Sequence, residues 1–164
     1  MKHWVAVLAV AVPGCSSSEE NRLPTEAERA LVTARSLDLF ALDPVPLAKD
    51  APAPEKGAFH DYAILGHAKL TDAVQAKALG ELVVRGIRES DGTVAACFNP
   101  RHGIRVTQDG RTLDLVICYE CLSLTAHGDL LGAPDARLGL LTAQRVEPGI
   151  TAIFEGAGLK LASK

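Results

Sequence analysis

Three cysteines and one histidine crowd two short segments of this chain: Cys97-Phe98-Asn99-Pro100-Arg101-His102 and Cys118-Tyr119-Glu120-Cys121. Thiolate and imidazole are the donors that hold Zn²⁺ in tetrahedral sites. A ligand pair at each end of a hairpin, the second as C-x-x-C, is how zinc ribbons arrange them. The first pair here, Cys97 and His102, is spaced more widely than the usual knuckle. In an oxidising compartment the same thiols pair instead, so a structural disulfide from Cys97 to Cys118 or Cys121 is an equal expectation. A third chemistry is thiol redox at Cys118 and Cys121. In redox proteins that motif opens a helix whose N-terminus favours the thiolate. Here it lies between two strand-like runs, so that electrostatic help is missing. Haem attachment is excluded, because Leu122 stands where C-x-x-C-H needs histidine.

A fourth cysteine has a different setting. Met1-Lys2-His3 is a short basic start, and Trp4 to Val12 is an unbroken apolar run. That run is far short of the roughly 20 apolar residues a spanning helix needs, and it has the length of a signal-peptide core. It ends Val12-Pro13-Gly14-Cys15, followed by Ser16-Ser17-Ser18-Glu19-Glu20. The segment resembles the bacterial lipobox, although Pro13 departs from the small residue usual there. The resemblance implies that residues 1–14 are a signal peptide and that Cys15 is the lipidation site. A diacylglyceryl group would sit on its sulfur and a further acyl chain, such as palmitate, on its new amine. One chain anchors a protein only marginally, whereas two or more hold it. Serine directly after the cysteine resembles lipoproteins sorted to the outer membrane. The expected location is therefore the bacterial cell envelope, with the membrane as partner through Cys15. Residues 15–34 are expected to be a flexible tether, with Glu26 to Arg35 either a short helix or its continuation, and 35–164 a single domain.

Loss of residues 1–14 removes Lys2 and moves the formal charge from −3 to −4. A mildly acidic chain without a basic cluster argues against nucleic acid as partner. Aromatics are only 4% of the residues, and the apolar content is mostly Ala, Leu and Val. That composition builds a core, but no stacking surface for bases or sugars.

The elements that must position the cluster are read from periodicity. Ser36 to Leu42 alternates as a strand, with Leu37, Leu39 and Ala41 on one side; Asp43-Pro44 should end it, and the proline-rich stretch to Gly57 should be loop. Tyr62 to about Leu70 is a second strand. Thr71 or Asp72 is a good N-cap for an amphipathic helix reaching about Glu89, in which Gly80 and Gly86 cost about 1 kcal/mol each against alanine, Gly86 in exchange for close packing on the sheet. Thr93 to Phe98 is expected as a strand bringing Cys97 in. The clearest local signal is Gln108-Asp109-Gly110-Arg111, a two-residue hairpin turn needing positive φ at both central positions. Counting outward from it places Arg105 against Asp114 as a structural ion pair. Ile104, Val106, Leu113, Leu115 and Ile117 then share the core face. Leu122 to Thr125 alternates again, Gly128 to Arg137 is loop, and Pro148 to Gly158 is a last short helix. The fold class is α+β: an antiparallel sheet of about five strands with one main amphipathic helix packed on it.

The stretch from Asp91 to Cys121 resembles a set of uncharacterised bacterial envelope proteins built round C-F-x-P-R-H-G-I-R, a hairpin, and D-L-V-I-C-[FY]-x-C. The resemblance implies a shared fold and site and says nothing of a substrate. No glycine-rich phosphate loop, G-x-S-x-G or H-E-x-x-H motif is present, so an enzyme is the less favoured expectation. Arg101 and Arg105 are anion-binding candidates, Glu120 is a candidate base beside an open metal, and His60, His67 and His127 carry no signal of their own. The leading expectation is an envelope lipoprotein whose cluster of Cys97, His102, Cys118 and Cys121 is a structural staple, by metal or disulfide. The alternative is a thiol-redox or metal-handling protein using the same four residues. For the anchor, Cys15→Ala is expected to leave the protein without lipid and off the membrane; labelled palmitate entering mutant and parent equally would refute it.

Overall fold

The computed structural model describes residues 21–50 and 52–163, so Cys15 and the signal-like segment lie outside the described residues. Helix α1 (Thr25–Val32) precedes strand β1 (Leu37–Pro46), the short β2 (Ala58–Phe59), β3 (Tyr62–Leu70) and helix α2 (Ala73–Arg88). Then come β4 (His102–Gln108), β5 (Arg111–Cys118), β6 (Ser123–His127), β7 (Arg137–Leu141) and helix α3 (Glu147–Gly156). The seven strands form one curled sheet in the order β2-β3-β1-β4-β5-β6-β7, and every pairing is antiparallel. The class is α+β as the periodicity implies, with seven strands in place of about five; α2 and α3 match the two expected helices, and α1 is the short helix that is one of the two expectations for residues 26–35.

Alternation along the strands sorts the side chains onto two faces. Leu37, Leu39, Ile104, Leu113, Leu115, Ile117 and Leu124 point to one side, where all three helices cover them with Leu31, Leu79, Val83, Ile150 and Phe154. Burying such side chains stabilises by about 1.5–3 kcal/mol each, so this layer carries the fold. The opposite face holds a smaller apolar group, Phe40, Leu42, Phe59, Tyr62 and Val116, with Phe98 packed against it.

The β4–β5 hairpin has the register counted from its turn. Asp109 and Gly110 adopt φ of 53° and 77°, and Gln108 pairs with Arg111, Arg105 with Asp114 and His102 with Ile117. Asp72 caps α2, its carboxylate accepting from the amides of Val74 and Gln75 at 2.8 and 3.1 Å. Gly80 and Gly86 turn out to be contact points. A Cβ on Gly80 would collide with the carbonyl oxygen of Leu31, where α1 crosses, and one on Gly86 would lie 2.6 Å from Thr142 Oγ1.

Three expectations need correction. Residues 21–34, expected in the tether, belong to the domain: Leu23, Ala27, Ala30 and Leu31 are buried in the core. Asn21 also locks the chain to β7, accepting from the Leu141 amide at 2.8 Å and donating to Ile87 O at 2.9 Å. Strand β1 runs through both prolines to Pro46, because irregularities after Ala41 and after Leu42 break the regular ladder there. Residues 93–98 form no strand, because the segment crosses to the β5–β6 turn instead of running along a sheet edge. The segment crosses the surface as an exposed loop held by one backbone bond, Ala95 N–H to Cys121 O at 3.2 Å. The loop expected from Gly128 to Arg137 is followed by a strand that was not expected, β7, which pairs along β6 from Arg137 opposite His127 to Leu141 opposite Ser123.

Gly80 and Gly156, one crowded and one open, give a direct check. Gly80→Ala should lower stability by about 1–3 kcal/mol through overpacking against α1 despite its better helix propensity. Gly156→Ala, which meets nothing within 4 Å, should be neutral or slightly stabilising. Urea titration of both variants tests this; a Gly80→Ala variant as stable as the parent would contradict the close crossing.

Candidate functional site: a three-cysteine cluster beside a buried ion network

β5 and β6 are joined by the turn Tyr119-Glu120-Cys121-Leu122, with Cys118 paired to Ser123. Leu122 takes φ of 55° and its amide donates to Tyr119 O at 3.3 Å. This turn folds Cys121 back over Cys118, and the exposed loop brings Cys97 to the same place. The ligand atoms of Cys97, Cys118 and Cys121 all lie within 4.8 Å of one another. Cα separations are 5.6 Å for Cys97–Cys121 and 5.3 Å for Cys118–Cys121. Both fall in the 4.4–6.8 Å range that a disulfide requires, and both use Cys121. Cys97 is exposed, whereas Cys118 and Cys121 are buried. The sulfur of Cys118 accepts two backbone N–H groups, from Asn99 at 3.3 Å and from Cys121 at 3.2 Å. Hydrogen bonds of that kind favour negative charge on the sulfur.

His102 does not join them. It pairs with Ile117 and so points to the helix-covered face, one residue out of phase with Cys118. It is buried there, its Nε2 3.2 Å from Thr151 Oγ1 and its ring edge-on to Phe154 and Tyr119. Burial pushes the Tyr119 phenol well up, and Glu147 adds to the effect. The Cys₃His set is thereby corrected to three cysteines: among the described residues, no His, Asp or Glu completes the group. Three thiolates could still hold a metal ion, with the fourth position left to a ligand from outside. Glu120 is not available as a base, because it pairs with Arg101 at 3.1 Å. Arg101 also donates to Ser163 O at 3.2 Å, so it is not an open anion site.

On the same face as Cys118, further along the sheet, lies a second constellation. Arg105 makes a two-pronged bond to Asp114, Nε and Nη2 donating to the two carboxylate oxygens at 2.6 Å each. His60 Nε2 lies 2.9 Å from the same carboxylate and its ring stacks on His127 at 4.0 Å. His127 Nε2 is 3.0 Å from Thr125 Oγ1. Arg105 lies over Phe59, which stacks on Phe40, and this needs a glycine at 103, where a Cβ would come within 2.9 Å of the Phe59 ring. Sequence alone gave no weight to His60 or His127. They meet only because the turn after β2 reaches Asp114 on β5, 54 residues away in sequence, with His127 on β6 opposite the same residue. His67, the third histidine set aside, pairs with Asp38 at 3.0 Å on an exposed part of this face.

Burial pushes the Asp114 carboxyl up, but the hydrogen bonds and charges of Arg105 and His60 outweigh it and leave it below the usual carboxylate range. Burial, with the neighbouring His60 and Arg137, brings His127 down to about 4 from its ordinary 6.5, while Asp114 and Asp61 only partly oppose this. A folded value below the unfolded one means that the unfolded chain takes up the proton first. The His127 contribution to stability is therefore complete above pH 6.5 and is lost as pH falls toward 4. The Asp114 contribution is lost lower still. The melting temperature should be flat above pH 7 and decline from about 6.5 downward. His127→Gln should flatten the decline between pH 6.5 and 4, measured against the variant's own value at pH 7; an unchanged slope would refute the assignment.

No family model matches this chain, and neither does any curated protein or solved structure, so its function is argued from the chemistry above.

Proposed function

We propose that this chain is a lipid-anchored envelope protein whose Cys97–Cys121 disulfide staples the exposed 89–101 loop to the β5–β6 turn, a non-enzymatic, structural use of the cluster. The observation that carries it is the 5.6 Å Cα separation between an exposed loop cysteine and a buried turn cysteine, 24 residues apart. His102 serves the core instead, so the donor that would favour zinc over a disulfide is absent from the cluster. The lipobox-like segment ending at Cys15 supports export and anchoring, and export supports oxidation of the thiols. Among the described residues no helix is long and apolar enough to cross a membrane. Asn21 is already fixed to the domain, so the link from Cys15 to Asn21 can reach only about 20 Å fully extended. The domain would sit close to the bilayer surface, with little of the tether that the polar residues suggested.

Closing a ring of that size removes about 3.5 kcal/mol of unfolded-chain freedom, against about 2 kcal/mol for the short Cys118–Cys121 ring. A metal reading is kept alive by one fact, the mutual approach of all three sulfurs, and Zn²⁺ is the ion that thiolates would favour. Purified protein with Cys15→Ala, prepared without reductant, should carry one disulfide and one free thiol with no stoichiometric metal. Reduction should lower its melting temperature by several degrees. Three reduced thiols together with one bound zinc per chain would replace the staple with a metal site.

A further inference from the structure

Cys121 has two partners at disulfide distance and can bond only one. We infer that the cluster is an exchangeable disulfide, and that the exchange exposes Cys97 as a thiol for mixed-disulfide formation with low-molecular-weight disulfides. This rests on the staple reading, since Cys97–Cys121 is the starting state. Both Cα separations, 5.6 and 5.3 Å, suit a disulfide, so Cys121 can change partner without a change of backbone path. The three sulfurs lie within 4.8 Å of one another, so the unbonded one is beside the bond it would attack.

The residues divide the roles. Cys118 is buried and its sulfur receives the amides of Asn99 and Cys121, which stabilise the thiolate, the form that attacks disulfides. Once Cys118 has lost its proton, its sulfur attacks Sγ of Cys121. The Cys118–Cys121 bond forms, the Cys97–Cys121 bond breaks, and its electron pair leaves on Cys97, which is exposed to solvent. No oxidant is consumed, because one disulfide replaces another. The Cys97 thiolate then attacks an external small disulfide, forming one mixed disulfide on Cys97 and releasing one small thiolate. Around Cys97 the loop keeps the Ala95 amide bond to Cys121 O, the Asn99 amide bond to Cys118 Sγ and the packing of Phe98 beside Tyr62, ring centroids 6.2 Å apart, but no covalent tie. The same step therefore loosens the staple.

The test uses the full chain with Cys15→Ala, so that only these three cysteines remain, and oxidised glutathione as the probe. Acid-quenched alkylation and peptide mapping of the untreated protein should find the single free thiol divided between Cys97 and Cys118. Incubation with oxidised glutathione should add one glutathione, on Cys97. Cys118→Ser should slow that addition at least tenfold, and Cys97→Ser should abolish it. A free thiol found only at Cys118, with no glutathione on Cys97, overturns the exchange while leaving the staple in place. Three reduced thiols overturn the staple and the exchange with it. The partition in the unsubstituted cluster decides the question even if a serine variant fails to fold.

Discussion

The two-residue turn at Asp109-Gly110 holds both of its central residues at positive φ, and the pairing it fixes runs back to His102 opposite Ile117. Side chains in a strand alternate between faces with a period of two, so this register decides which chemistry belongs together. Ile117 and His102 fall on the helix-covered side. Cys118, one residue on, falls on the other side with Val116 and Asp114. A slip of one residue would bury the thiol under α3 and expose the imidazole. Separation of the cysteine cluster from His102 therefore follows from the turn.

The same parity assembles the ion network. Asp114 sits between Arg105 on one neighbouring strand and His127 on the other, and His60 arrives from the turn after β2. Only 5% of Asp114 is exposed, and a carboxylate so placed needs its charge compensated. The Arg105 fork supplies two bonds and His60 a third. Phe59 and Phe40 exclude water beneath the guanidinium, with Gly103 leaving room for them. Removing one member would strand the carboxylate, so these groups act as a unit that fixes β2 over the sheet.

Features set by neighbours in sequence could be read from it. The hairpin, its register, the Arg105–Asp114 pair, the Asp72 cap and the proline-led last helix all depend on residues a few positions apart. What escaped depends on distant partners. Gly80 looks like a cost to α2 until α1 crosses it at Leu31, and α1 looks like tether until Leu79 and Val83 cover its apolar side. Thr93 to Phe98 has strand-like composition but runs to the β5–β6 turn, where Ala95 N–H donates to Cys121 O. β7, with its glycine and exposed arginine, declares itself only beside β6. For the cluster, three of the four suspected residues meet; periodicity also held the reason that the fourth does not, because His102 and Cys118 lie on opposite faces in the counted register.

Ring size sets how folding acts on the cysteines. In an unfolded chain the Cys118–Cys121 ring closes more readily than the Cys97–Cys121 ring, by about 1.6 kcal/mol or roughly fifteenfold on chain entropy. The folded protein holds the two pairs at nearly equal Cα separations, 5.3 and 5.6 Å, and so removes that bias. Linkage then requires that forming the Cys97–Cys121 bond stabilise the fold more than forming the short ring does, by the same amount. Whatever loosens the sheet around the β5–β6 turn returns the advantage to the short ring. The register of one hairpin, the odd number of thiols beyond Cys15 and the length of the exposed loop are thus three terms of one equilibrium. In the exchange inferred above, its position would report whether the sheet beneath is intact.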